Sequence, residues 1–186
     1  MKPWITRQRK VIFDQSPWLV VEHCEVELPN GRVIPNWPWV TTPDYINIVV
    51  EMVDGDYLCF RQIKYGLPDP TLALVGGYLE PGEAPLAAAQ RELREETGCI
   101  AEEWIELGSY LVDPNRGMAT GHLYLARKAC KVGDLIPDDL EEQEEIYLTR
   151  NELKTALENG EIKILAWAAA IAFSLVFSGA ELSKKV

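Results

Sequence analysis

The sequence predicts an α+β fold, and three observations carry that reading. Strand-type alternation broken by turn residues fills the first part of the chain. One amphipathic helix stands in the middle, and two helical segments close the chain, the last of them almost wholly apolar. No internal repeat or low-complexity run interrupts this order.

The elements follow in turn. Residues 1–17 have weak periodicity and read as an arm. From Val20 to Leu28 the chain alternates, with Cys24, Val26 and Leu28 on one face and Glu25 and Glu27 on the other, as in a half-buried strand. Pro29-Asn30-Gly31 is a turn, and Arg32-Val33-Ile34 can return as a partner strand. The segment Pro35 to Pro43 is too rich in proline for a central strand. Tyr45 to Val53 is a β-branched run that Asp54-Gly55-Asp56 folds back into Tyr57 to Ile63, a hairpin. Leu72 to Val75 is a short strand ending at Gly76-Gly77, and a helix runs from about Ala84 to Thr97 with Gly98 as its stop. Strand patterns recur at Trp104–Val112 and His122–Ala129, and Leu135 to Glu145 reads as a loop dense in carboxylates. Thr149-Arg150-Asn151-Glu152 is a capping box for a helix ending near Gly160, and a final helix spans about Ile162 to Phe177.

Composition narrows the function classes. The 186 residues include 18 Lys plus Arg and 29 Asp plus Glu, a formal charge of −11. That acidity disfavours binding to nucleic-acid backbones but admits a small anionic substrate if a local cation neutralises the site. The cysteines Cys24, Cys59, Cys99 and Cys130 form no CxxC, and His23 and His122 are the only histidines, so a zinc cluster is not expected. Four reduced thiols point to a cytoplasmic protein. The N-terminus lacks an apolar h-region, and the apolar run Ile164 to Phe177 is too short for a membrane span, so neither a signal peptide nor a membrane partner is expected. The domain reading is an arm at 1–43, a main domain at 44–180 and a tail at 181–186.

The chemistry concentrates in Gly77–Cys99. Leu86, Ala89, Leu93 and Thr97 fall within an arc of about 80° on a helix and form an apolar stripe. Glu92, Glu95 and Glu96, spaced i, i+3 and i+4, share one side about 100° away from that stripe. Three crowded carboxylates in the last turns repel one another and oppose the helix dipole, and a divalent cation reverses both effects. Hard oxygen ligands suit Mg²⁺ or Mn²⁺. The alternative is a solvated acidic face with Arg91 and Arg94 pairing to the glutamates. The glycines at 76, 77 and 82 shift the balance, because backbone without side chains can approach a ligand closely.

This stretch resembles the Nudix box, G-x5-E-x7-R-E-U-x-E-E-x-G-U, with U aliphatic. Gly77, Glu83, Arg91, Glu92, Leu93, Glu95, Glu96 and Gly98 stand in place, and Cys99 departs mildly at the last position. The resemblance implies a Nudix-type α/β/α sandwich, a mixed β-sheet between helices, here with an N-terminal β arm. It implies hydrolysis of a nucleoside diphosphate linked to another moiety. It also implies Mg²⁺ or Mn²⁺ held by Glu92, Glu95, Glu96 and the carbonyl of Gly76, with Glu83 and Arg91 orienting the loop and helix.

Finer features are similar to the ADP-ribose and nucleoside-diphosphate-sugar pyrophosphatases within that family. Pro114, sixteen residues beyond Gly98, is one; Phe60 to Tyr65, Leu72 to Gly77 and Gly160 to Leu175 are others. This likeness places a functional glutamate in the loop Asp138 to Ile146, at Glu142 or Glu144, which the sequence does not separate. Phosphate contacts from Arg61, Lys64 or Arg116, and base stacking on Trp37 or Trp39, are further expectations, each competing with an ordinary surface or core role. The subfamily's habit of pairing through N-terminal strands implies a homodimer. Other substrates (GDP-mannose, a dinucleoside polyphosphate, a nucleoside triphosphate) or a binding module without turnover are the alternatives; the intact glutamates favour catalysis.

Overall fold

The computed structural model describes residues 1–133 and 142–177. The loop carboxylates Asp138, Asp139 and Glu141 and the expected tail at 181–186 lie outside the described residues. The chain divides into two compact units, the first made of Met1–Asp44 and Tyr110–Gly121, the second of Tyr45–Ser109 with the described residues from His122 on.

In the first unit, β1 (Ile5–Gln15), β2 (Leu19–Glu27) and β3 (Val33–Thr41) form an antiparallel sheet in that order. This sheet matches the expected N-terminal β arm, and the proline-rich segment is, as expected, not a central strand. The arm is a full strand, β1, exposed along its whole length. The proline-rich segment is also strand, because β3 is an edge, where a missing N–H costs no ladder bond on the outer side. Asn36, at φ 57°, forms the bulge that puts Pro35 and Asn36 opposite Glu25 alone.

The second sheet is built of β4 (Tyr45–Met52), β5 (Tyr57–Gln62), β6 (Thr71–Ala73), β7 (Cys99–Asp113) and β8 (Met118–Lys131) in the order β6-β5-β4-β8-β7, with β9 (Gln143–Leu148) paired to β5; it belongs to the second unit except for the end of β7 and the start of β8, which lie within Tyr110–Gly121. Ile46, Asn47, Ile48, Val49 and Val50 are all buried in succession. A strand buried at consecutive positions is covered on both faces. Helices α1 (Pro85–Thr97) and α3 (Leu165–Val176) both pack on β4, and α2 (Arg150–Glu158) packs on α3 and β9. This is the expected sheet flanked by helices. Phe60, Leu72, Leu93, Leu153 and Ile171 are among the buried side chains that close the core.

The local signals worked where they were chemically complete. Thr149 and Glu152 form the reciprocal capping box of α2. Gly98 caps α1 in the left-handed conformation, φ 67°. Two boundaries moved: α3 starts at Leu165, and the segment read as loop up to Glu145 contains β9, in which Glu144 stands opposite Arg61 of β5. Pairing to an available sheet edge outweighed the poor strand preference of glutamate. Among the described residues, no helix is long and apolar enough to cross a membrane.

Candidate active site

The site is built where the end of β6 meets α1. Ile48 N–H donates to the carbonyl of Val75 at 2.9 Å, and Ile46 N–H to that of Gly77 at 2.9 Å. These bonds clamp the Gly76-Gly77 segment against β4. Gly76 N–H instead donates to Glu96 Oε2 at 3.1 Å. The glycines are dictated by space. A Cβ on Gly76 would lie 2.5 Å from the Ile46 carbonyl and 2.7 Å from Asn47 Oδ1, and one on Gly77 would overlap the Glu92 carboxylate. Beyond them, Glu83 N–H closes a turn onto the Glu80 carbonyl at 3.0 Å, and Glu80 N–H returns a bond to Glu83 Oε2 at 3.0 Å.

Helix α1 carries the carboxylates, and here the structure changes the expected geometry. Leu86 is 37% exposed and leaves the apolar stripe; Ala88 joins Ala89, Leu93 and Thr97 as the buried set. At 3.6 residues per turn, Ala88 and Leu93 bracket Glu92 and Glu96, so the carboxylate side overlaps the buried face rather than standing apart from it. The Glu92 side chain is only 14% exposed, whereas Glu95 is 43% exposed. Burial accordingly pushes the Glu92 carboxyl above its ordinary value, with Glu95 and Glu83 adding repulsion and Arg91 opposing both.

Arg91 ties the group together. Its Nε and Nη2 donate to the two oxygens of Glu83, each at 2.9 Å, and Nη2 also reaches the Tyr78 carbonyl at 3.3 Å. Nη1 donates to Glu92 Oε1 at 2.7 Å and to Glu95 Oε2 at 3.0 Å. The bidentate Arg91 bond holds the Glu83 carboxyl far below its usual range, at about 2. Glu83 therefore stabilises the fold above its ordinary value of 4.5 and loses that contribution as pH falls toward about 2. The expected result is that Glu83→Gln is less stable than wild type at neutral pH, and that thermal melts of the two converge as pH drops through this window. A gap that stays constant across it would remove Glu83 from the account.

The donor set fits a hard divalent cation: three carboxylates on one helix beside backbone stripped of side chains. Glu92, Glu95, Glu96 and the Gly76 backbone are the groups that could hold it. Among the described residues, no three His, Cys, Asp or Glu side chains converge on one metal position. Arg91 engages one oxygen each of Glu92 and Glu95, and Gly76 N–H engages one oxygen of Glu96.

The other expected residues are placed as follows. Arg61 lies beside Glu161 at 3.9 Å, an exposed pair, rather than being drawn into the Arg91 cluster. Lys64 sits over the Trp167 ring, 5.8 Å from its centre. Glu142 is exposed at the margin of the described residues. Glu144 lies in β9, while its neighbour Glu145 accepts from Lys131 Nζ at 2.7 Å and Tyr147 Oη at 2.9 Å. In the first unit, Pro114 occupies the β7–β8 turn, and Arg116 Nη1 pairs with Asp113 at 2.8 Å. Trp39 is an occupied ring. Arg9 stacks 4.8 Å from its centre, and a Cβ on Gly117 would overlap its six-membered ring. Trp37 meets Trp4 edge-on at 5.4 Å and donates Nε1–H to the Asn115 carbonyl at 2.8 Å.

Sequence reading missed the Tyr78 carbonyl, Asn47 and Trp167. A backbone acceptor leaves no mark in a sequence. Asn47 did leave one, as a single amide inside the run Ile46 to Val50.

The family model of the NUDIX domain matches residues 41–168. A Bacillus subtilis protein named ADP-ribose pyrophosphatase is 27% identical over 134 residues, 72% of this chain and 71% of its own length. A Streptomyces rubellomurinus protein named CMP-5'-(N-acetyl-N-hydroxy-3-aminopropyl)phosphonate hydrolase is 29% identical over 180 residues, 95% of this chain and 84% of its own length. A solved structure described as an ADP compounds hydrolase aligns with a TM-score of 0.74 at 20% identity, covering 91% of this chain and 94% of that one, and speaks for the fold.

Proposed function

The chain belongs to the NUDIX domain family and is a Nudix hydrolase, and from that premise we propose that it splits the pyrophosphate of ADP-ribose or a related nucleoside diphosphate sugar into a nucleoside monophosphate and a sugar phosphate. The observation that carries the reading is the gathering of Glu83, Glu92 and Glu95 around Arg91, with Glu96 on the Gly76 N–H. Glu92, Glu95, Glu96 and the Gly76 carbonyl would hold Mg²⁺ or Mn²⁺. Such an ion neutralises non-bridging phosphate oxygens and lowers the pKa of water. Glu83 and Arg91 orient the loop and helix that present those carboxylates. A carboxylate near the start of β9 takes the proton from the attacking water. Glu142 is preferred for that role, since Glu144 faces Arg61 across the sheet. Lys64 remains a proposed phosphate contact. Base stacking on Trp39 loses support, because its ring already meets Arg9 and Gly117.

A second reading keeps the bond and changes the leaving group. The Streptomyces relative aligns over 95% of this chain, and its named substrate joins CMP to a phosphonate. One experiment separates the readings. The protein is incubated with Mg²⁺ and ADP-ribose, ADP-glucose, GDP-mannose, a CMP–phosphonate conjugate, diadenosine polyphosphates and nucleoside triphosphates. Products are then resolved by chromatography. AMP and ribose 5-phosphate formed fastest, and abolished by EDTA, is the expected result; faster cleavage of another member replaces the substrate. Failure to cleave any of them with Mg²⁺ or Mn²⁺ would overturn the proposal.

The setting follows the same logic. Four cysteines without disulfides support a reducing, cytoplasmic location. We also propose a homodimer. Trp4, Ile5, Val11, Ile12, Phe13 and Trp18 are all exposed along β1 and its turn, and an edge strand so apolar is a natural pairing surface. Light scattering at micromolar concentration should give twice the chain mass; a monomeric mass rejects the dimer.

A further inference from the structure

Behind the glycine that holds Glu96 stands a pair of polar side chains with no obvious reason to be buried. Asn47 is 5% exposed, in the middle of β4, and Trp167 is 6% exposed, on α3. Trp167 Nε1–H donates to Asn47 Oδ1 at 2.9 Å. That same oxygen occupies the space into which a Gly76 side chain would project. The backbone of Gly76 is clamped on either side by the β4 bonds from Ile46 and Ile48, and its own N–H is left to Glu96. A contiguous path therefore runs from Trp167 through Asn47 and Gly76 to the Glu96 carboxylate. An apolar pair at these two positions would serve stability at least as well, because a buried hydrogen bond has a small net worth.

We propose that Asn47 and Trp167 are positioning residues for Glu96: α3 fixes the Asn47 amide, the amide oxygen backs Gly76, and Gly76 aims its N–H at the carboxylate. The proposal rests on the reading that Glu96 serves turnover. Outer partners of metal ligands typically cost about 10- to 100-fold in affinity or activity when removed.

The test uses Trp167→Phe, which keeps an aromatic ring and deletes the donor, and the double variant Asn47→Val/Trp167→Phe, which removes both polar partners together. For each, kcat and KM are measured with the preferred substrate, Mn²⁺ affinity is titrated without substrate, and the melting temperature is recorded. Trp167→Phe leaves the Asn47 oxygen without its donor, so it should lower Tm, and the double variant should recover much of that loss. In both, kcat should fall about 10-fold or more and Mn²⁺ should bind more weakly, with KM within about 2-fold of wild type. Recovery of kcat and Mn²⁺ affinity in step with Tm in the double variant would reduce the pair to a packing role and overturn the proposal. Glu96→Gln separates the two levels. If it keeps wild-type turnover, the role of Glu96 fails; if it loses turnover while Trp167→Phe keeps it, only the positioning path fails.

Discussion

Glu96→Gln is expected to lower kcat by more than about 100-fold while the fold survives, since removing even an outer partner of a metal ligand costs about 10- to 100-fold. The fold survives because glutamine keeps an oxygen that can accept the Gly76 N–H now given to Glu96 at 3.1 Å. The substitution also removes one negative charge from a helix end already carrying Glu92 and Glu95, which relieves repulsion and opposition to the helix dipole. Thermal stability should therefore be unchanged or slightly higher. What disappears is the charge needed to hold a divalent cation. The measurement is kcat in saturating Mg²⁺ beside a melting curve. Turnover within about twofold of wild type, in a protein with a normal melt, would remove Glu96 from the site.

Gly76→Ala and Gly77→Ala should fail in different ways, and the contrast is the second large effect. At Gly76 the new methyl meets the Ile46 carbonyl at 2.5 Å and Asn47 Oδ1 at 2.7 Å. The carbonyl belongs to a strand buried on both faces and cannot retreat, so overpacking should cost about 2–3 kcal/mol. In a chain of this size that is a fall in Tm of roughly 5–10 °C. At Gly77 the nearest atoms the methyl meets are the far end of the Glu92 side chain, which can swing aside. Gly77→Ala should therefore melt closer to wild type but lose turnover, because Glu92 is driven from its place beside Arg91. Equal losses of Tm in the two variants would show that Glu92 is as immobile as the strand. Full activity in Gly77→Ala would show that its position is irrelevant.

Residues adjacent in sequence and complementary in chemistry determined much of this protein without help. The Thr149–Glu152 capping box, the Asp54-Gly55-Asp56 hairpin, the Gly98 helix stop and the spacing of Glu83, Arg91, Glu92, Glu95 and Glu96 are all short-range patterns. Each appears in the structure on the expected element. Such signals work because one turn of helix or one hairpin brings the partners together whatever the remainder of the chain does.

Tertiary structure decided everything that depended on which surface a residue met. Leu86 and Ala88 are equally acceptable on a helix, and only the packing of α1 exposed the first and buried the second, moving Glu92 and Glu96 onto the buried side. The prolines of β3 became strand because an edge was available. Glu144 and Glu145 are neighbours, yet pleating sends successive side chains to opposite faces, so one stands opposite Arg61 and the other meets Lys131 and Tyr147. Trp39 reads as a stacking platform until Arg9 and Gly117 are found against its ring. Asn47 and Trp167 lie far apart along the chain, and their bond exists only because α3 covers β4. Local pattern set the chemistry that α1 carries; contacts between distant segments set which of those groups are buried, which are held, and what holds them.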